Sequence, residues 1–124
     1  MKKVFTRYVT IIRIIDGDSI VANIDLGDYL CFEKRTIRLA NLDTPELNGD
    51  TEKERMLAVK AKLFMESKLL IGQEYLFIST EKADKYGRSL GSIHDKEGKD
   101  LATQLIQNGF AIDYTGGTKK DWSI

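Results

Sequence analysis

The chain is nearly devoid of proline, cysteine and histidine, with one of each in 124 residues. The single cysteine, Cys31, excludes an internal disulfide and a cysteine cluster for zinc. It lies in a strand-like stretch, where a small buried residue is expected. The single histidine, His94, has no serine or cysteine partner pattern around it and reads as a surface residue of a strand. Net charge is absent too, with 19 basic and 19 acidic side chains. That removes the general basic excess of many nucleic-acid-binding domains, so such binding must rest on a local patch. No apolar run is long enough to span a bilayer, and no partner membrane is expected. Lys2 and Lys3 resemble the start of a signal peptide, but Arg7 and Arg13 interrupt the apolar segment and no small-residue cleavage site follows. A cytoplasmic location is therefore the default expectation; a secreted form would need a different N-terminus. Repeats, low-complexity tracts and Pro/Ser-rich linkers are missing, so residues 1–124 read as one domain, with a core over about 9–114 and a short tail over 115–124.

What is present is mostly strand. Val9–Ile15 is apolar and β-branched, and Asp16-Gly17-Asp18 breaks it. Ser19–Leu26 alternates with a period of two, and Gly27-Asp28 suits a tight hairpin turn into Tyr29–Ala40, which is long enough to bulge near Glu33–Arg35. Pro45 biases Thr44 away from the helical region, so the strand is expected to end near Asp43. Thr51 and Glu54 form a capping-box pattern before a helix whose apolar face is Leu57, Ala61, Phe64, Met65 and Leu69, with Gly72 as its stop. Glu74–Thr80 is a strand, Glu81–Gly87 a polar loop and Arg88–His94 a fifth strand. Asp100 caps a second helix, Leu101–Asn108, closed by Gly109. This order predicts an α+β protein: an OB-fold five-stranded barrel with a helix between strands 3 and 4 and a second helix near the C-terminus.

Four acids, Asp16, Asp18, Asp43 and Glu46, fall at strand ends or in turns. Oxygen donors of this kind suit hard cations such as Ca²⁺ or Mg²⁺. Asp16 and Asp18 do not begin an EF-hand loop, because Val21 stands where that loop needs glycine and Gly27 where it needs glutamate. Arg38 precedes the acidic turn, and Arg88 follows Asp84-Lys85-Tyr86-Gly87, a loop with a base, an aromatic and a glycine. Guanidinium forks bind phosphate oxygens in pairs and stay charged at any working pH.

Taken together, Ile15-Asp16-Gly17-Asp18-Ser19, Arg38-Leu39-Ala40-Asn41-Leu42-Asp43-Thr44-Pro45-Glu46 and Asp84-Lys85-Tyr86-Gly87-Arg88 resemble the staphylococcal nuclease (thermonuclease) family in order and spacing. The likeness covers roughly Val9 to Tyr114. It implies a Ca²⁺-dependent phosphodiesterase that cuts DNA and RNA at the P–O5′ bond and leaves 3′-phosphates. By this resemblance Asp18, Asp43 and the Thr44 backbone carbonyl bind Ca²⁺, with Asp16 in the outer shell. Glu46 activates or orients water, and Arg38 and Arg88 clamp the scissile phosphate. Lys85 and Tyr86 contact a terminal or neighbouring phosphate, and Tyr114 stacks on a base. The expected partners are single-stranded or frayed DNA and RNA, and the expected state is a monomer.

The chain departs from that family in several places. Ser19 replaces the usual threonine, Asn48–Arg55 lacks a lysine-rich loop, and the ending Gly-Gly-Thr-Lys-Lys-Asp-Trp is similar to that of short bacterial and phage members. The alternative expectation is an OB-fold module that holds single strands or protein partners without cutting.

Overall fold

The computed structural model describes residues 4–83, 87–114 and 120–122. Five strands close into a barrel: β1 (Val4–Ile14), β2 (Ser19–Gly27), β3 (Leu30–Leu39), β5 (Glu74–Ala83) and β6 (Ser89–His94). Around the barrel the order is β1-β2-β3-β6-β5, antiparallel except where β3 meets β6. Helix α1 (Glu52–Lys68) lies between β3 and β5 in the chain, and α2 (Leu101–Gln107) follows β6. This is the OB-fold arrangement the sequence predicts. Two short strands, β4 (Leu42–Asp43) and β7 (Ile112–Asp113), pair with each other outside the barrel. Two-residue strands carry no periodicity and are invisible to a pattern reading.

The barrel closes because alternate residues of every strand face inward. Val9, Ile11, Ile20, Ala22, Ile37, Leu39, Phe77 and Ile93 are all buried in one core, which Met65, Leu69, Leu101 and Leu105 extend from the helices. On α1 the buried face is Ala58, Ala61 and Met65. Leu57 is only half-buried, so Ala58 takes the place expected for it and lets the helix approach closely. Thr51 caps α1 by accepting from the Glu54 amide at 3.2 Å. The return half of the capping box is diverted, because the Glu54 carboxylate accepts from the Glu46 amide at 3.0 Å. Leu69, in extended conformation, ends the helix before Gly72 is reached. The Gly72 amide donates instead to Ile11 O at 2.8 Å, tying the turn to β1.

Three further differences have physical causes. β1 begins at Val4, five residues earlier than its apolar run, because Val4–Tyr8 pair with Leu76–Thr80 even though most of these side chains are exposed. The β2–β3 turn centres on Asp28 and Tyr29, both at positive φ, with Gly27 opposite Leu30, so the hairpin turns one residue later than Gly27-Asp28 suggests. Cys31 is exposed, not buried: residues Leu30–Lys34 form an arm that runs beyond the core. The expected bulge is present. Lys34 has φ 52° and its amide donates to Asn23 Oδ1 at 2.8 Å.

The tightest point of the barrel is Gly91, which pairs with both Leu39 and Ser79. A Cβ there would collide with Ile78 O and come within 2.6 Å of Phe77 Cε1 and 2.9 Å of Ser79 Cα. Two of these three are backbone atoms and cannot swing aside. Gly91→Ala is expected to destabilise the fold by about 1–3 kcal/mol, read as a lower urea midpoint with an unchanged slope.

Candidate nuclease-type site

The Asp16-Gly17-Asp18 turn is closed by the Ser19 carbonyl, which accepts from the amides of Ile15 at 3.0 Å and Asp16 at 3.2 Å. Asp16 Oδ1 accepts from the Asp18 amide at 3.1 Å, and the Ser19 hydroxyl donates to Asp18 Oδ1 at 3.1 Å. The hydroxyl thus does what the sequence departure from threonine leaves possible. Gly17 lets the turn lie flat on the protein: a Cβ there would be 2.9 Å from Ala61 Cβ and 3.4 Å from Thr44 Cβ. That contact places the first acidic turn against both α1 and the Asp43–Glu46 segment.

Arg38 joins the same two segments electrostatically. Ser19 and Arg38 are register partners on β2 and β3. Arg38 Nη2 lies 3.2 Å from Asp18 Oδ2 and donates to Leu42 O at 3.0 Å, while Nη1 donates to Leu39 O at 3.2 Å. The chain turns sharply between the last two acceptors, at Asn41 with φ 57°, so the strand that should have run to Asp43 breaks and restarts as β4. The pair is mostly buried, with side-chain exposures of 16% for Arg38 and 13% for Asp18.

Asp43 and Thr44 are buried, at 2% and 4% exposure. Asp43 Oδ2 accepts from the indole Nε1 of Trp122 at 3.3 Å. Trp122, the only tryptophan of the chain, is itself 6% exposed. Pattern reading gave this residue no role. A lone tryptophan in an otherwise polar tail is the signal that could have revealed an anchor, since a ring of that size is seldom left in water.

Glu46 is exposed on the turn that follows, with its amide held by Glu54 and its carbonyl accepting from the Gly49 amide at 3.0 Å. Arg88 immediately precedes β6. In the parallel register Ile37 faces Ser89 and Arg38 faces Leu90. Ile37 and Leu39 point into the core, so continuing the alternation puts Arg88 on the outer face that carries Arg38, about two residues along the neighbouring strand. The Tyr114 amide donates to Asn41 O at 3.0 Å, which seats this residue beside the Arg38–Asp43 turn. Lys85 and Tyr86 lie outside the described residues. Among the described residues, no three Asp, Glu, His or Cys side chains are arranged to hold a metal ion.

These features define a class first: an OB-fold barrel that gathers acids and arginines where β2, β3 and β6 adjoin. Residues 36–122 match the family described as staphylococcal nuclease homologue, and the chain belongs to that family. It is 29% identical over 109 residues to Endonuclease YhcR of Bacillus subtilis, covering 82% of this chain and 8% of that protein. It is 31% identical over 90 residues to a probable endonuclease of Schizosaccharomyces pombe, covering 68% of this chain and 38% of that protein. The chain therefore spans well under half the length of either relative.

Burial pushes the Asp16 carboxyl up from 3.8 to about 7; a hydrogen bond with Asp18 and the Asp18 charge add to the rise, and the Asp18 and Ser19 amides partly offset it. The folded state thus holds a proton that the unfolded chain has released between about pH 4 and 7. Stability falls as pH rises through that window. In chelator, Asp16→Asn should flatten this fall when melting temperature is followed against pH.

Trp122 tests the tail. Trp122→Ala is expected to cost about 3–5 kcal/mol in urea denaturation, and Trp122→Phe distinctly less.

Proposed function

We propose that the protein is a Ca²⁺-dependent phosphodiesterase that hydrolyses DNA and RNA at the P–O5′ bond, leaving 3′-phosphate ends. The observation that carries this reading is the Arg38 guanidinium held between the Asp18 carboxylate and the Leu42 carbonyl, one residue before Asp43. Family membership and the endonuclease names of both relatives support it.

The donor set fits a hard dication. Asp18, Asp43 and the Thr44 carbonyl offer only oxygen, and nearby Asp16 adds a further carboxylate. A carboxylate has lone pairs beyond those used by one or two donors, so the bonds from Ser19 and Arg38 orient Asp18 without exhausting it. Bound there, Ca²⁺ would offset the negative charge that gathers on the phosphoryl oxygens.

The chain's own groups do the rest. Arg38 is fixed by three acceptors, so it meets the phosphate without reorganising, and its unused N–H groups bind a non-bridging oxygen. Arg88, on the same outer face, takes the other side of the phosphate. Glu46 takes a proton from the attacking water or aligns it, with the turn it sits on fastened by Glu54. Tyr114 supplies a ring for a neighbouring base. Lys85 and Tyr86 are assigned to a flanking phosphate on the family pattern alone. Unpaired or frayed strands are the preferred substrate, since a barrel face reaches splayed backbones more easily than duplex. The protein acts as a monomer.

A second reading is a non-catalytic OB module that binds single strands. The bond that the Trp122 indole already makes to the buried Asp43 carboxylate favours it.

One assay separates the two. Single-stranded DNA should be degraded with Ca²⁺ and spared with chelator. Arg38→Ala and Glu46→Ala should each lower turnover on the order of 10²-fold. Retained strand binding in Ca²⁺ with no product would establish the binding module instead.

A further inference from the structure

The end of the barrel away from the acidic turn is open and carries a second feature. Asp16-Gly17-Asp18 joins the end of β1 to the start of β2, where α1 packs. The start of β1, the end of β2 and the start of β3 lie at the other end. There they surround a cavity of about 210 Å³. Its lining includes the core residues Ile24 and Phe77 together with Phe5, Arg7, Phe32 and Arg35.

Each of the two arginines lies over one of the two phenylalanines. The Arg7 guanidinium carbon is 5.3 Å from the Phe5 ring centre, and that of Arg35 is 4.8 Å from the Phe32 ring centre. Each cation is also tethered at its edge, Arg35 Nε to the Ser89 hydroxyl at 2.8 Å and Arg7 Nη1 to Leu26 O at 3.4 Å. Both aromatic rings are partly exposed, Phe5 at 38% and Phe32 at 47%.

The geometry points to a binding subsite at this mouth for an unpaired nucleobase of a single strand, separate from the acid-and-arginine site and resting on the nucleic-acid reading proposed above. The volume is below that of drug-sized pockets and suits one flat ring system. Fixed guanidinium planes and phenylalanine faces are the surfaces on which splayed bases stack, and the same charges attract the flanking phosphates. The chain has no net charge, so a strand must be drawn by local cations such as these. Position supports the same occupant. Arg35 lies three residues before Arg38 on β3, about 10 Å along the strand, and its partner Ser89 follows Arg88. Arg35 shares the inward-facing set with Ile37 and Leu39, and Arg38 faces outward, so a single strand would pass over the open rim of the barrel between the two, a reach within the roughly 4–16 nucleotides an OB fold covers.

The test uses a fluorescein-labelled oligothymidylate in chelator, so that nothing is cleaved, with binding read by anisotropy. Phe32→Ala and Arg35→Gln should each weaken binding at least about fivefold, while circular dichroism and melting confirm the fold. A 5-iodouracil oligonucleotide should photocrosslink to peptides containing Phe5 or Phe32. With Ca²⁺, Phe32→Ala should raise KM for a long strand and leave a dinucleotide substrate unchanged. The proposal is overturned if neither folded variant weakens binding, if crosslinks form only elsewhere, if no oligonucleotide binds, or if light scattering shows a dimer that Phe32→Ala dissociates. Strand binding sensitive to Phe32 without any hydrolysis would sink the nuclease reading and leave the subsite standing. Hydrolysis with binding indifferent to Phe32 and Arg35 would do the reverse.

Discussion

A single guanidinium holds the site together. Arg38 stands on a strand whose inward neighbours, Ile37 and Leu39, are locked in the core, so its base cannot move without disturbing the barrel. Its tip binds the carboxylate of one turn and the carbonyl of another. A mostly buried ion pair is a weak source of net stability, because removing both charges from water cancels much of their attraction. Its effect is on geometry: Asp18 and the Leu42–Asp43 backbone cannot drift apart while Arg38 is satisfied by both. Breaking one side leaves an uncompensated charge, which is costly, so the arrangement tolerates little slack.

Other contacts restrict what Arg38 leaves free. Gly17 brings the acidic turn onto Ala61 and Thr44, where any side chain would push it off. Trp122 reaches the buried Asp43 from the far end of the chain. Glu54 gives up its own capping role to hold Glu46. These three contacts join α1, the tail and the β4 turn to the barrel, and none of them adds a reactive group. They hold positions on which a preorganised site depends, because catalysis of this class rests on charges already in place.

The parts legible in the sequence were those with a period or a local rule. The barrel strands show alternation, α2 shows its Asp100 cap and inward leucine, and the Lys34 bulge falls where the return strand is too long. The misreadings share another cause, which is that a partner remote in sequence decided the outcome. Val4–Tyr8 become strand because β5 lies beside them. Glu54 leaves the capping box because Glu46 competes for it. Cys31 looks like a core residue in its strand pattern, but the hairpin arm carries it past the core. The site residues were nameable only as motifs; their convergence depends on the β2–β3 register and the parallel β3–β6 pairing, which no local pattern encodes. Trp122 is the clearest omission, since its partner is 79 residues away.

The barrel divides its two ends by how they are filled. At the turn end α1 packs across, Asp43 is buried and Asp18 nearly so, and among the described residues no buried side-chain polar atom lacks a partner, which suits a task that needs fixed charge. At the other end Phe5, Phe32, Leu30 and Val4 are exposed, and the Arg7 and Arg35 guanidiniums lie over rings instead of pairing with acids. A ring face holds the cation in place and leaves its charge uncancelled. The same residue type therefore serves two purposes on one strand. Arg38 shares its fork with Asp18 and keeps N–H groups for a phosphate oxygen, and Arg35, three residues earlier and on the opposite face of the strand, is held by a ring and a hydroxyl at the open mouth. In a chain with no net charge, these two cations on β3 give a polyanion two local points of attraction, one at the outer face and one at the open mouth.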